Sequence, residues 1–276
     1  MTESALSVVL RRDRAIVAAS LLVLGAIAWA YVLWLIHAMG MGGMQMSEMR
    51  VDANPFGVAM IPSLQPWSGA EFAFAFVMWA VMMIGMMVPS AAPMILVYAR
   101  VGRQAELQGK PLAAAGYFAG GYLIAWAGFA LFATVGQWLL ERASLLTPIM
   151  ASTSNIIGGL VLIAAGLYQW TPVKDACLNY CRAPLLFIQR HGGFRRDRLG
   201  SLGIGLRHGL YCIGCCWALM ALLFVGGIMN VLWIAGIAVF VLAEKVIRSG
   251  RVLSRIGGVV LTAAGIWLIV TGLSMP

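Results

Sequence analysis

Three of the five cysteines of this chain lie in the segment His208-Gly209-Leu210-Tyr211-Cys212-Ile213-Gly214-Cys215-Cys216-Trp217-Ala218-Leu219-Met220. The segment lies within an apolar run, 202–227, that is long enough to cross a bilayer as a helix. Residues four apart share one face of a helix, so four potential metal ligands form a stripe, with Cys215 beside it: His208, Cys212, Cys216 and Met220. Imidazole, thiolate and thioether bind soft or borderline metals such as Cu(I) and Zn(II). The segment therefore predicts a membrane helix that carries a metal site.

The composition extends this prediction to the whole chain. Of its 276 residues, 62% are hydrophobic and 11% are charged, and the mean hydropathy is +0.90. Such values are typical of an integral membrane protein. Pro89 and Pro93 are expected to bend the second span. We predict an all-α fold, a polytopic transmembrane helix bundle of about seven spans, at 15–36, 70–98, 112–139, 153–170, 202–227, 231–247 and 255–273.

The distribution of basic residues predicts the orientation of the chain. With the N-terminus in the cytoplasm and the C-terminus in the periplasm, all of the 19 Lys and Arg residues except Arg50 and Arg142 lie on the cytoplasmic side. This asymmetry follows the positive-inside rule and predicts a multi-pass protein of the bacterial inner membrane. The net charge of +9 is thus explained by topology, and it does not indicate nucleic-acid binding.

The predicted organisation has two regions. Residues 1–69 combine an anchor helix, preceded by Arg11, Arg12 and Arg14, with a Met-rich outer loop. The apolar run of this first span is longer than the core of a secretory signal, which predicts an uncleaved anchor. Residues 70–276 form a membrane domain that contains the other six predicted spans.

Two of the spans contain nearly the same ten residues. Positions 157–166 have the sequence IGGLVLIAAG, and positions 256–265 have the sequence IGGVVLTAAG. One interpretation is an inverted repeat of two three-helix units, spans two to four and spans five to seven, as in many transporters. The other is that Gly- and Ala-rich helix faces are alike because both pack closely. The sequence leaves both open.

The predicted outer loop opens with a cluster of methionines beside a histidine. Thioethers bind Cu(I) without losing a proton, and they suit an oxidising compartment in which thiols would be lost. The alternative is a flexible loop whose methionines touch lipid or a partner. The functional interpretation predicts a site that collects a soft metal ion, formed by His37, Met39, Met41, Met44, Met46 and Met49.

Methionines also form a stripe in the second span. Helical spacing places Met78, Met82 and Met86 on one face. Met83 and Met87 form a parallel pair. These residues lie at about the same depth as the cysteine segment, which predicts a series of weak, exchangeable sites for a soft ion. The alternative is ordinary apolar packing.

The cluster of Cys212, Cys215 and Cys216 has three interpretations. As a metal site, it supplies two or three thiolates, and His208 or Met220 completes the shell. As a redox site, Cys212 and Cys215 form a C-x-x-C pair that exchanges disulfides. As packing, the thiols are small apolar residues of a buried helix. An apolar environment disfavours an unassisted thiolate, which weakens the redox interpretation.

The two remaining cysteines lie in the predicted cytoplasmic loop, 171–201. Cys177 and Cys181 are four residues apart on a predicted short helix between Pro172 and Pro184. Neighbouring basic side chains favour the thiolate, and a reducing compartment keeps both thiols free. The pair is either a two-coordinate Cu(I) site that exchanges metal at the inner face or a pair of ordinary loop residues.

Charged residues are scarce inside the predicted spans. Glu244 and Lys245, at the inner end of the sixth span, are predicted to pair with each other or with lipid headgroups as a structural anchor. The sequence contains no P-loop, no Ser-His-Asp set and no paired carboxylates within a span. It therefore does not predict an ordinary enzyme.

Several groups of residues form a recognisable pattern: Met82, Met83, Met86, Met87, Pro89 and Ser90; Tyr168, Gln169, Thr171, Pro172, Lys174, Cys177, Leu178, Cys181, Arg182 and Pro184; Gly209, Tyr211, Cys212, Gly214, Cys215, Cys216, Trp217, Leu219 and Met220; Gly227, Met229 and Asn230; Glu244 and Lys245. From about residue 75 to 250, this pattern resembles the bacterial family called domain of unknown function 2182. Its members are described as predicted metal-binding integral membrane proteins. The resemblance implies a helical membrane protein and a metal, but neither the identity of the metal nor a mechanism.

These observations favour a membrane protein that handles a soft metal ion, with copper preferred over zinc. The ion would pass from the outer loop along the methionine stripe to the cysteine cluster, and it would leave at Cys177 and Cys181. Net transport and delivery to a membrane metalloenzyme fit equally well, so the expected partners are the lipid bilayer, the metal ion and such an enzyme or other membrane subunits. The alternatives are a thiol-disulfide protein that uses Cys212 and Cys215 and a structural subunit of a larger membrane complex.

Overall fold

A computed structural model describes residues 3–45, 67–109, 112–146, 154–247 and 249–274, with the backbone alone at 3–15, 38–45 and 274. The regular elements in these ranges are all helices, which confirms the all-α fold class. They are α1 (Glu3–Gln45), α2 (Gly69–Leu107), α3 (Ala115–Arg142), α4 (Asn155–Tyr168), α5 (Pro172–Arg182), α6 (Pro184–Arg190), α7 (Arg198–Ala221), α8 (Leu223–Gly226), α9 (Val231–Val246) and α10 (Gly250–Ser274).

Five helical segments in the described ranges are long and apolar enough to cross a membrane. They are Ile16–His37 of α1, all of α2, all of α3, Arg198–Gly226, which joins α7 to α8, and Gly250–Leu273 of α10. These segments are compatible with a multi-pass membrane protein.

The prediction of seven full-length spans is not confirmed. The predicted fourth span, 153–170, contains the 14-residue helix α4, which forms with α5 a pair bent by 65°. The predicted sixth span, 231–247, contains the 16-residue helix α9. At 1.5 Å per residue, α4 and α9 are about 21 and 24 Å long, shorter than a hydrocarbon core of about 30 Å. With the bent pair counted as one span, the described ranges contain up to six.

Helix α2 continues through Pro89 and Pro93, and the first of these prolines provides the attachment of α1. Pro89 has no N–H for the carbonyl of Gly85, its partner one turn earlier. That carbonyl instead accepts a hydrogen bond of 3.3 Å from the Trp29 indole. Gly85 itself has no side chain to keep α1 away, since a Cβ there would lie 3.3 Å from the Cβ of Ala28. Pro89 therefore leaves the Gly85 carbonyl free to accept the hydrogen bond that joins α1 to α2.

Replacing Trp29 with phenylalanine should lower the stability of the protein by about 1 kcal/mol, the net value of one hydrogen bond, because the Gly85 carbonyl loses its donor. Thermal unfolding of the purified protein in detergent measures the change. Trp34→Phe is the matched control, since Trp34 lies in the same helix with half of its surface exposed. Equal shifts in the two variants would contradict the role of the hydrogen bond.

Helices α3 and α7 touch through their backbones beside the cysteine segment. A side chain at Gly121 would overlap the carbonyl of Leu202, and one at Gly205 would overlap the carbonyl of Phe118. Such contacts between small residues are typical of helix pairs in membranes. Because Cys212 follows Gly205 by about two turns of α7, this contact fixes where the cysteine segment lies.

The two similar ten-residue sequences lie against each other, one in α4 and one in α10. A Cβ at Gly159 would lie 2.7 Å from the carbonyl oxygen of Gly265, and one at Gly166 would lie 2.8 Å from that of Gly258. Early residues of one helix thus meet late residues of the other, so the helices run antiparallel. The shared glycines serve the same close packing in both copies. The inverted repeat of three-helix units stays a prediction.

Candidate metal centre

Helix α5 brings the second pair of cysteines to the cysteine segment of α7. The helix begins at Pro172, and the Thr171 side chain caps it by accepting a hydrogen bond from the Lys174 amide. The predicted helix between two prolines is therefore confirmed. Its approach to α7 depends on Gly214, because a Cβ there would lie 2.9 Å from the Cys177 Sγ atom.

Sulfur atoms from three helices converge in two pairs. The Sγ atoms of Cys181 and Cys215 are 4.0 Å apart and join α5 to α7. The Cys216 Sγ atom lies 4.0 Å from the Met87 Sδ atom and joins α7 to α2. Cys215 and Cys216 are buried, whereas Cys181 is half-buried. The cluster thus lies in the interior of the helix bundle but has one edge towards its surface.

Cys212 lies at the centre of this cluster. Its backbone carbonyl accepts hydrogen bonds from the Cys215 and Cys216 thiols, at 3.0 and 2.9 Å. The Lys245 ammonium donates a hydrogen bond of 2.9 Å to the Cys212 sulfur, and the Tyr122 hydroxyl lies 3.2 Å from it. A neighbouring cation that donates a hydrogen bond to the sulfur stabilises a thiolate, which is the form of cysteine that binds metal ions. The surroundings of Cys212 therefore favour a metal-binding thiolate.

The lysine reaches the cluster because Glu244 is engaged elsewhere. The Lys245 Nζ atom donates to the Ser90 Oγ atom at 2.9 Å as well as to the sulfur. The Glu244 carboxylate pairs with Lys174, whose Nζ atom lies 2.8 and 3.0 Å from its two oxygens. The predicted pairing of Glu244 with Lys245 is therefore wrong. Successive residues of a helix do not face each other, so these two side chains meet different neighbours.

The sulfur spacing fits one soft ion held between two thiolates. Two sulfurs bound to the same ion by bonds of about 2.3 Å are at most about 4.6 Å apart. The 4.0 Å separation of Cys181 and Cys215 lies within this limit. Within the described ranges, no three His, Cys, Asp or Glu side chains are arranged to hold a metal ion. The arrangement therefore suits two-sulfur binding of a soft ion better than the four-ligand shell of a structural zinc site.

His208 and Met220, the predicted ligands at the two ends of the stripe, are both buried. The His208 ring lies among the rings of Phe118, Tyr122 and Phe187, at centroid distances of 5.8, 5.7 and 5.2 Å. Its Nδ1 atom has no hydrogen-bond partner in the part of the chain that is described. The contacts of the ring are thus aromatic, and the role of either residue as a ligand stays a prediction.

The methionines of α2 face more than one neighbour. Met82 and Met86 line a narrow crevice between α1 and α9. Met87 instead lies against Cys216. The thioether that meets the cysteine cluster therefore belongs to the second predicted pair rather than to the stripe. All five predicted methionines of this helix are buried: Met78, Met82, Met83, Met86 and Met87.

The predicted outer site is described only in part. His37 is exposed at the end of the apolar segment of α1. The helix continues to Gln45 instead of ending near residue 36, although Gly40, Gly42 and Gly43 are poor helix formers. The backbone of this helix includes Met39, Met41 and Met44. Outside the described residues lie Met46 and Met49.

Three polar residues at the centre of the cluster were not among the predicted ligands. Ser90 and Lys245 belong to the motifs that carry the family resemblance, which is the signal that could have identified them. Tyr122 has no such signal in the sequence. Its hydroxyl donates a hydrogen bond of 3.1 Å to the carbonyl of Met87, so its position beside the sulfur depends on how α2 and α3 pack.

Comparison with known proteins relates most of the chain to a described family. Residues 76–268 match a family model whose description is PpoB2, copper chaperone. The matched region contains most of α2, all of α3 to α9 and most of α10, and therefore all five cysteines. It overlaps the region of the predicted resemblance, about 75–250, although the matched family has a different name. No curated protein and no solved structure matches the chain. Because the match covers more than half of its length, the chain belongs to the PpoB2 copper chaperone family.

Proposed function

We propose that this protein is a membrane copper chaperone that holds one Cu(I) ion between two thiolates of the set Cys181, Cys212 and Cys215. The observation that carries the proposal is the approach of the Cys181 and Cys215 sulfurs, from α5 and α7, to 4.0 Å, next to the Cys212 sulfur that contacts the Lys245 ammonium. Membership of a copper chaperone family supports copper as the cargo. Zinc is the less suitable ion, because it prefers four ligands and the cluster offers sulfur in pairs.

The proposed route uses weak sulfur pairs in sequence. Copper is collected by His37 and the methionines that follow it, passes the methionines of α2 and enters the cluster through Met87 and Cys216, whose sulfurs are 4.0 Å apart. It leaves through Cys177, which is half-buried next to Gly214. Several exchangeable sites let an ion move on where one tight site would trap it.

The proposal includes two alternative destinations for the copper ion. The protein either moves copper across the bacterial inner membrane or delivers it to a copper enzyme in the same membrane. In both forms the N-terminus is cytoplasmic and the C-terminus periplasmic, as the distribution of basic residues indicates. Both need the same metal centre, so the test of that centre comes first.

A thiol-disulfide protein is the second candidate, and one distance favours it. The Sγ atoms of Cys181 and Cys215 are close enough to form a disulfide after a small movement. The predicted exchange pair, Cys212 and Cys215, stays a prediction. A redox protein would show a change in thiol labelling between oxidised and reduced samples, and it would contain no bound metal.

The test of the proposed function is the copper content of the double variant Cys212→Ser, Cys215→Ser. The purified wild-type protein, loaded anaerobically with Cu(I) and freed of excess metal, is expected to retain one ion per chain. The double variant is expected to retain none, because serine oxygens are poor ligands for a soft ion. Cys177→Ser is the control, since this cysteine lies at the edge of the cluster and should leave the stoichiometry unchanged. Equal copper in wild type and double variant would refute the proposal.

A further inference from the structure

We propose that Lys245 makes the metal centre selective for a monovalent ion. This inference rests on the proposed function, and it adds a reason why Cu(I) rather than a divalent ion is accepted. Lys245 does not bind the metal ion. Its positive charge determines which charge a bound ion must have for the centre to be neutral.

The first step is that the Lys245 ammonium is not paired with a carboxylate in the described ranges. The side chain is 8% exposed, and its Nζ atom contacts the Cys212 Sγ atom and the Ser90 Oγ atom, each at 2.9 Å. The nearest acidic residue in sequence, Glu244, is paired with Lys174. Within the described ranges, no carboxylate forms an ion pair with Lys245.

The second step is that a buried ammonium requires a negatively charged group nearby. An ammonium in an apolar interior is costly unless a negative group compensates it. Of the two groups that accept hydrogen bonds from the Lys245 ammonium, the Cys212 thiol is the one that readily becomes an anion. The ammonium of Lys245 and the thiolate of Cys212 therefore cancel each other before any metal arrives.

The third step is the charge of the loaded centre. Two thiolates, the Lys245 ammonium and a monovalent ion sum to zero, whereas the same groups with a divalent ion sum to one positive charge. An uncompensated charge is expensive in a medium of low dielectric constant. A third thiolate would restore neutrality for a divalent ion, but no three suitable ligands are arranged to hold an ion in the described part of the chain.

Replacing Lys245 with leucine should therefore shift the preference towards a divalent ion. The variant keeps an apolar side chain, removes the charge and adds no metal ligand, so two thiolates and Zn(II) become neutral. We expect the ratio of Ag(I) affinity to Zn(II) affinity to fall by at least about tenfold, because a charge interaction at contact distance exceeds the 1.4 kcal/mol that corresponds to a factor of ten. Competition of each ion against a chromogenic chelator, with the full-length protein in detergent, measures the ratio. Ag(I) serves as the redox-inert monovalent probe, and Cu(I) under anaerobic conditions should give the same shift.

Two controls separate charge from other effects. Lys245→Arg keeps the charge and should keep the preference for Ag(I). The double variant Lys174→Met, Glu244→Gln removes one buried charge of each sign, so the ratio should stay at the wild-type value. Should the Lys245→Leu protein not fold, Lys245→Gln removes the same charge and carries the same expectation.

The outcomes distinguish this inference from the proposed function. An unchanged ratio in the neutral variants overturns the role of Lys245, even where Cys212→Ser, Cys215→Ser abolishes copper binding. A wild-type protein that binds neither Ag(I) nor Cu(I) overturns both. A fall in the ratio that occurs in Lys245→Leu but not in Lys245→Arg supports the inference.

Discussion

Replacing Lys174 with methionine is expected to destabilise the protein by about 3–5 kcal/mol, the usual cost of removing one partner of a buried ion pair. Lys174 is fully buried, and Glu244 is 1% exposed. In the variant the Glu244 carboxylate loses its cation, so it either carries an uncompensated charge in an apolar interior or takes up a proton, and both cost free energy. The neighbouring Lys245 cannot replace it, because its ammonium is directed to Ser90 and Cys212.

The loss should reach the metal centre as well. The Lys174 ammonium also donates to the Gln169 side chain, whose Oε1 atom accepts a hydrogen bond of 2.9 Å from Ser254. The network thus ties α5 to α4, α9 and α10. Because α5 carries Cys181, loosening it should separate the Cys181–Cys215 pair and weaken Cu(I) binding.

Thermal unfolding in detergent and Cu(I) stoichiometry measure the two effects. The matched control is again Lys174→Met combined with Glu244→Gln, which leaves no buried charge without a partner in this pair and should recover most of the lost stability. A single variant as stable as the wild type, or a double variant no better than the single one, would show that the ion pair does not hold α5 in place.

The helical fold could be predicted from apolar runs, but the lengths of two helices could not. Hydropathy is high throughout 153–170 and 231–247, so both segments have the composition of a span. The chain nevertheless bends between Tyr168 and Pro172, where Thr171 caps a new helix. A cap and a proline indicate where a helix begins, yet the 65° change of direction depends on what α5 packs against.

In the candidate site, too, the sequence predicted the helices that carry the cysteines but not the contacts between them. The spacing of Cys212, Cys215 and Cys216 predicted one cysteine-bearing helix, and the proline-bounded segment predicted another. Which sulfurs meet is a tertiary property: Cys181 lies opposite Cys215, and Met87 meets Cys216. The periodicity of a single helix gives the direction of a side chain but not the identity of its neighbour.

The two buried lysines differ in the group that compensates their positive charge. Lys174 has a carboxylate partner, so its network is neutral within the protein and serves the fold. Lys245 has a sulfur partner that a metal ion also requires. The second lysine thus links the charge of the metal-free protein to the charge of its cargo, which is the physical basis of the proposed selectivity.

Replacing Gly121 with alanine is expected to cost about 3 kcal/mol or more, because the added methyl group overlaps the backbone carbonyl of Leu202 and the two helices must separate. A flexible side chain would move aside, but a carbonyl within a helix cannot. Separation of α3 from α7 also withdraws Tyr122 from the Cys212 sulfur. We therefore expect both a lower unfolding temperature in detergent and weaker Cu(I) retention.

The adjacent glycine provides the matched control for this steric argument. A Cβ at Gly120 would meet nothing within 4 Å, and alanine is the better helix former by about 1 kcal/mol. Gly120→Ala should therefore leave stability and copper retention unchanged or slightly raised, although it makes the same chemical change one residue away. Similar losses in both variants would mean that helix α3 does not tolerate substitution in general. A loss confined to Gly121→Ala would show that the backbone contact between α3 and α7 positions the metal centre.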